Sequence, residues 1–363
     1  MENIKERLFA ELKELTGLHG ASGFEQPVVK RLYESFKPLV DEVFVDPMGN
    51  LYAVKKGTMP GPNSMVIAHS DEVASVVKSV DARGFLRIGR LFGQVEPLLV
   101  GRKVAVKGRF GVIGVKPGHL QDEQERQRTP KYQELYVDVG AKSAQEVQKM
   151  GIGIGDPVTY ISELDRFTNP DLVCGKALDD RLGCAVLLEL LRQLQEKEFP
   201  GTFYAVVSVQ EEVGLRGAQV ATYRVNPDFA YVLDTVPCGG TPDVPEAELP
   251  IDIGKGPVFP LVSGGFIRGN IMQAGMRNLL IKTAEAHDIS YQLATVCVEG
   301  GTSDVSTVHL VREGIPTGVI AIPRRYSHSP IETADLNDAL AALALLQILV
   351  SVPPAPEEIA FFA

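Results

Sequence analysis

Four times in this chain an apolar run of strand length ends on a residue that binds metal or moves protons. MVIA (65–68) leads to His69, FYAVVSVQ (203–210) to Glu211 and Glu212, FAYVL (229–233) to Asp234, and GVIAIPRRYS (318–327) to His328. Continuous apolar runs of this length suit strands buried on both faces, which is the habit of an α/β sheet. In such sheets the C-terminal strand ends gather along one edge, where ligands bind. The pattern therefore predicts an α/β fold with five polar residues delivered to one place.

Between these runs the chain reads as helices and short strands. Residues 3–16 put Ile4, Leu8, Leu12 and Leu15 on one face, and 25–38 do the same with Val28, Leu32 and Phe36. The glycine-rich break GLHGASGFE separates them, with Ser22 placed to cap the second helix. Short strands are expected at 42–46 and 51–55, and helices at 180–195, 270–289, 302–314 and over the C-terminal run ALAALALLQILV (339–350). From about 75 to 165 the texture changes. Glycines recur between short Val/Ile/Leu segments, which predicts a small β-rich domain inserted into the α/β one. The expected division is 1–74 plus 166–363 for the α/β domain and 75–165 for the insertion. Within the insertion QDEQERQRTPK (121–131) reads as a flexible loop.

The chain has 363 residues, enough for about two domains. Its net charge of −10 argues against a nucleic-acid groove and is compatible with holding divalent cations. The N-terminus carries charges from residue 2 and has no apolar signal region, and the run at 339–350 is too short to span a bilayer. Cys174, Cys184, Cys238 and Cys297 show no CxxC spacing and read as buried free thiols. Together these features predict a soluble cytoplasmic protein.

Doubled acids sharpen the chemistry. KALDDRLG (176–183) supplies Asp179 and Asp180, and VQEEVGLRGA (209–218) supplies Glu211 and Glu212. Adjacent carboxylates at the end of a buried strand repel one another unless a cation resolves the conflict. With His69, Asp234 and His328 they match the needs of a two-metal hydrolase: a bridging carboxylate, terminal ligands for each ion, and one acid left to activate water. Asp179 is expected to bridge, with Asp180 left to cap the helix or to support the ligands from behind. Glu212 is expected to bind metal and Glu211 to act as general base. Asp71, two residues after His69, is placed to accept from the imidazole nitrogen that does not bind metal.

The motifs AHSDEV (68–73), GVIGVKPGHL (111–120), YVDVGAKS (136–143), GIGIGDPV (151–158), KALDDRLG, QEEVGLRGA, GKGP (254–257), GGTSDVS (300–306) and IPRRYSHSPIE (322–332) run in order through nearly the whole chain. In this series the chain resembles the M42 family of metalloaminopeptidases. The resemblance implies a mixed-sheet, zinc-peptidase-like catalytic domain carrying a PDZ-like dimerisation domain. It implies two Zn²⁺, Co²⁺ or Mn²⁺ ions per subunit, with His69 and Asp234 on one, Glu212 and His328 on the other and Asp179 between them. It gives Glu211 the role of base and Asp71 that of the acid supporting His69. It also implies a non-proline cis peptide between the acids of the DDR motif. Substrates would be short peptides, and self-association would give dimers or dodecameric tetrahedra. The chain departs from the family pattern in SDEVASVV, which lacks a glycine after the acids, and in GGTSDVS, where GGTDAG is commoner. Both departures bear on substrate fit.

The preference for the N-terminal side chain is open between acidic and broad. Arg324 or Arg325 can meet an acidic side chain bidentately, or both can serve structural salt bridges. A related deacylase or carboxypeptidase would need an arginine to grip the substrate carboxylate, and Arg268, Arg324 and Arg325 are available. Glycoside hydrolysis would need two separated carboxylates and no histidine cluster. A non-enzymatic scaffold would be expected to lack some of the ligands, and none is missing.

Overall fold

The computed structural model describes residues 2–264, 269–296 and 302–362. Its centre is a mixed sheet of twelve strands. The strand order along the main path is Glu42–Val45, Leu51–Lys56, Pro200–Ser208, Met59–His69, Phe229–Pro237, Thr317–Arg325, Glu332–Asp335, Leu172–Gly175 and Asp165–Arg166. Strand Val258–Ser263 branches off Thr317–Arg325 and carries Asn270–Ile271 and Gln292–Val296.

The inner strands are apolar on both faces because helices cover them. Met65, Val66, Ile67, Val206, Val207, Val232, Leu233 and Ile320 are all buried. Helix Leu178–Gln193 is buried nearly all round, with Leu182, Val186, Leu187, Leu190 and Leu191 inaccessible. A helix apolar on every side belongs inside a protein. It packs against the sheet and is flanked by helices Glu2–Gly17 and Leu336–Ser351. The latter begins at Asp335, whose side chain accepts from Asn337 N, and it is the buried C-terminal helix expected from sequence.

Six strands close into a separate antiparallel barrel: Ala74–Val80, Leu86–Phe92, Lys103–Val106, Arg109–Ile113, Tyr136–Asp138 and Pro157–Tyr160. Val77, Leu86, Ile88, Val104, Val106, Ile113, Val137 and Val158 fill it. Closure removes the free edges that so short a sheet would otherwise expose. In the chain the barrel strands fall between strand Met59–His69 and strand Asp165–Arg166 of the large sheet, where Asp165 already pairs with Cys174.

Several sequence expectations need correction. Residues 302–314 are not one helix, since only Val305–Val308 is helical. Thr307 Oγ1 turns back to Asp304 O (3.1 Å), Arg312 is left-handed, and Gly314 follows at positive φ. Hydroxyl side chains that bond nearby backbone compete with helix continuation. The helix expected from 270 begins at Ala274, because Asn270 and Ile271 pair with strand 258–263. The polar 121–131 segment is partly ordered by a capping box: Asp122 accepts from Glu125 N (2.8 Å) and Glu125 from Asp122 N (3.0 Å). Ser22 does not cap the second helix, and its hydroxyl goes to Asp71 instead. Cys174, Cys184 and Cys238 are free thiols, while Cys297 and Arg268 lie outside the described residues. No helix among the described residues is long and apolar enough to cross a membrane.

Candidate metal centre

Sheet register brings the strand-end residues to one level. Pro200–Ser208 runs parallel to Met59–His69 with Ser208 opposite His69, so Glu211 and Glu212 lie just past the shared edge. Phe229–Pro237 is parallel on the other side. Two residues beyond its last pair, Val232 with Ile67, come Asp234 and His69. Asp234 lies opposite Ala321 on the strand that leads to His328. The five strand-end residues therefore meet because their strands are parallel and in register.

Asp179 enters from the helix side. The Asp179–Asp180 peptide is cis, and Ala177 ahead of it is left-handed. Asp180 takes the capping position, with Oδ1 accepting from Gly183 N (3.0 Å) and Oδ2 from His69 N (3.2 Å). A Cβ on residue 183 would lie 2.4 Å from Asp180 Oδ1, so the cap needs glycine there. Asp179 is left facing the strand ends. Its Oδ1 lies 3.0 Å from His69 Nε2 and its Oδ2 3.4 Å from His328 Nε2.

Two trios of ligand atoms result: His69, Asp180 and Asp234, and Asp179, Glu212 and His328. Around His69 Nε2 stand also Asp234 Oδ1 at 3.8 Å and Glu211 Oε2 at 4.0 Å, and Glu212 Oε2 is 3.5 Å from His328 Nε2. Asp179, Glu211, Glu212 and Asp234 are all less than 10% exposed. Burial pushes Asp234 up to about 6 and Glu212 up to about 7, and raises Glu211 well above the usual carboxylate range. Burial would raise Asp179 too, but Arg324 and the two histidines bring it well below its ordinary value. Glu212 Oε1 is buried with no hydrogen-bond partner among the described residues. Crowded, desolvated carboxylates with an orphan oxygen and two imidazoles form a donor set that fits divalent cations.

Asp71 does more than face His69. Its Oδ1 lies 3.5 Å from His69 Nδ1, within ion-pair range but longer than a well-formed hydrogen bond. It accepts from Ser22 Oγ (2.6 Å), Glu211 N (3.0 Å) and Glu212 N (3.2 Å). Glu25 accepts from the preceding amide, Gln210 N, at 3.0 Å. Two buried acids thus pin three consecutive amides and aim the 211–212 turn.

Around the cluster stand Arg324, expected from the sequence, and several residues that the sequence did not single out. Arg324 is buried against Asp179, donates to Thr235 Oγ1 (2.6 Å) and pairs with Glu332 (3.2 Å). Glu332 also accepts His328 N at 2.7 Å. Arg325 follows it on the strand and so projects to the opposite face, where its guanidinium approaches Gly240. Of the two roles expected for these arginines, Arg324 takes that of a structural salt bridge. Asp304 is buried beside the cluster and accepts from Ser208 Oγ (2.6 Å). Its signal was the GGTSDVS motif. Beneath the site Glu72, Lys176 and Arg181 form a buried ion triad, in which Lys176 Nζ lies 2.8 Å from both Glu72 oxygens. Arg181 donates to Ser70 O and Leu15 O, each at 2.7 Å. The triad fixes the loop that carries Ser22. KALDDR supplied two of its members in plain sight.

The family model described as M42 glutamyl aminopeptidase matches residues 49–345, a span that contains both trios, Glu211 and Asp71. The chain belongs to the M42 family. Aminopeptidase APDkam598 from Desulfurococcus kamchatkensis is similar at 36% identity and a TM-score of 0.90, with 98% of this chain and 97% of that one covered. The lysyl aminopeptidase of Pyrococcus furiosus is 33% identical over 93% of this chain and 95% of its own length. The TET1 peptidase of Pyrococcus horikoshii, described as assembling into a tetrahedron or a large octahedral shell, is similar at 28% identity and a TM-score of 0.83, covering 95% and 99% of the two chains. With the M42 assignment and two clusters able to hold divalent metals, this protein is a metal-dependent aminopeptidase.

Proposed function

We propose that His69 and Asp234 hold one divalent ion, Glu212 and His328 hold the other, Asp179 bridges the two, and Glu211 is the general base. The observation that carries this reading is the Asp179 carboxylate, whose two oxygens face histidines of different trios. Asp180 falls geometrically within the first trio, but its oxygens already accept from Gly183 and His69 amides. Glu211 belongs to neither trio and stands 4.0 Å from His69 Nε2. Mixed imidazole and carboxylate donors suit Zn²⁺, Co²⁺ and Mn²⁺ alike. Such ions supply Lewis acidity and lower the pKa of water.

The protein's own groups supply the rest. Asp71 fixes the backbone of Glu211 and faces His69. Glu211 takes the proton from the attacking water and returns it to the departing amine. The buried acids around the centre favour the α-ammonium of a short peptide's N-terminal residue. Because Arg324 is engaged by Asp179 and Glu332 and Arg325 lies on the other face of its strand, a broad side-chain preference is favoured over an acidic one. For the deacylase or carboxypeptidase alternative, which needs a free guanidinium beside the metals, the ion pairs of Arg324 remove one of its three candidates, and Arg268 lies outside the described residues. Self-association through the barrel, as a dimer or a dodecamer built from dimers, is favoured by Phe110 at 61% exposure and Val112 beside it, and by likeness to the tetrahedral TET1 peptidase. Free cysteines suit a cytoplasmic setting.

Glu211→Gln tests the assignment. The variant is expected to keep both metals while kcat falls roughly 10²–10⁴-fold. Loss of metal together with activity would mean that Glu211 and Glu212 exchange roles.

A further inference from the structure

The ring of His328 has two sides. Nε2 faces Asp179 and Glu212, while Nδ1 faces the barrel. The group it meets there is the turn after strand Leu86–Phe92. A Cβ built on Gly93 would lie 3.0 Å from His328 Nδ1 and 2.3 Å from Val73 Cγ1. This turn is not a loose loop. Gln94 N donates to Phe92 O (2.9 Å), and the Gln94 side chain is buried and accepts from Ser75 Oγ (2.7 Å). Ser75 Oγ is in turn hydrogen-bonded to the Tyr132 hydroxyl inside the barrel.

The segment around His328 is held from the same direction a second time. Ser162, just past the last barrel strand, donates from Oγ to Pro330 O at 2.6 Å. On the sheet side, His328 N donates to Glu332 Oε1. Tyr326 and His328 both adopt left-handed backbone conformations, so neighbours rather than local preference hold this segment in place.

We infer that Gly93 is a positioning residue for the metal centre: the barrel turn Phe92–Gln94 is the wall that keeps the His328 imidazole directed at Asp179 and Glu212. Barrel placement thereby sets the geometry of one metal group and leaves the other untouched. The inference rests on His328 being a ligand. Gly93 itself has φ +75°, so any side chain there also carries backbone strain. Gly108 provides the matched control, with φ +77° and nothing within 4 Å of a built Cβ.

The test is calorimetric titration of metal-stripped full-length protein with Zn²⁺, with bound zinc per subunit counted by elemental analysis. Gly93→Ala is expected to weaken one of two binding events by roughly tenfold or more, the range seen when groups supporting a ligand are disturbed. Gly108→Ala is expected to leave both events as in the wild type. Gly93→Ala/Val73→Ala relieves the valine clash and is expected to keep the weakening. Ser75→Ala, which loosens the turn without adding an atom near His328, is expected to weaken the same event by a smaller factor, and it carries the test should Gly93→Ala not fold. His328→Ala separates the two readings. If it loses one event while Gly93→Ala and Ser75→Ala keep both, the positioning role is overturned and the ligand assignment stands. If His328→Ala itself keeps both events, the ligand assignment falls and takes this inference with it. Recovery of wild-type binding in the double variant would also overturn it, since Val73 would then be the contact of consequence.

Discussion

Asp71→Asn separates charge from shape at the point where the acidic turn is held. The carboxylate is fully buried and faces four donors: the Ser22 hydroxyl and Glu212 N on Oδ2, and Glu211 N and His69 Nδ1 on Oδ1. An asparagine must turn one oxygen into an amide nitrogen. On the Oδ1 side that nitrogen would oppose both Glu211 N–H and His69. On the Oδ2 side it opposes only Glu212 N–H, because the Ser22 hydroxyl can rotate and accept. The second arrangement is better and still abandons one buried amide, at about 1–3 kcal/mol. The bonds that remain lose their charge assistance, about 1 kcal/mol more. The expected loss is therefore about 3 kcal/mol in the metal-free protein. Ser22→Ala removes one hydroxyl donor and leaves both amides satisfied, so about 1–2 kcal/mol is expected. Denaturant unfolding of the two metal-free variants at neutral pH measures the order. A movement of the 211–212 turn by about 1 Å also costs roughly 10²-fold in rate, so Asp71→Asn is expected to lose kcat even with metal bound. If Asp71→Asn is no less stable than Ser22→Ala, or lies within about 1 kcal/mol of wild type, Asp71 does not hold the turn in the way its contacts imply.

Asp46 gives a pH test away from the metals. Burial alone would raise its carboxyl, but Asn50, Tyr52 and the amides of the 48–50 turn bring it below its ordinary value. A depressed folded-state pKa contributes stability above the unfolded value that is lost as pH falls through the folded one. Asp46→Asn is expected to cost about 2–4 kcal/mol at pH 7, with the gap closing below about pH 4 in urea melts at a series of pH values. For substrate preference, a panel of Leu, Lys, Ala, Glu and Asp p-nitroanilides is expected to vary without a selective advantage for the acidic pair. Glu cleaved at least about tenfold faster than Leu would mean that a basic group other than Arg324 or Arg325 serves the pocket, since tenfold is only about 1.4 kcal/mol of discrimination.

What was legible in the sequence and what was not follow one division. Strand ends were legible because a buried parallel strand is largely apolar, so polar residues at its end stand out; His69 and Asp234 come directly after such runs, and Glu211 and His328 come within a few residues of theirs. The doubled acids were legible because their repulsion demands a reason. Helix limits after 270 and after 302 were not, since strand pairing by Asn270–Ile271 and the backbone bond of Thr307 are long-range or conformational facts that periodicity cannot carry. Nor was the choice between Arg324 and Arg325. Adjacent arginines at a strand end look alike in sequence, yet strand alternation sends one to Asp179 and the other to the far face.

That last point bears on how the site is built. Arg324 adds a buried positive charge to a centre that must also take up cations, which by itself opposes metal binding. Its contacts show what offsets this. It spans Asp179 and Glu332, and Glu332 in turn holds His328 N, so one guanidinium ties the bridging candidate to the loop of the second histidine. Lys176 and Arg181 do the corresponding work on the other side, fixing Glu72 and the loop that carries Ser22 to Asp71. Asp179 is therefore held through its carboxylate, and Glu211 and Glu212 through their backbone amides, by groups outside the two trios. Paired in this way, a buried charge costs less to keep than to remove. The centre can then keep its donors in place before any ion arrives, at the cost of carrying several buried ion pairs that a purely structural sheet edge would not need.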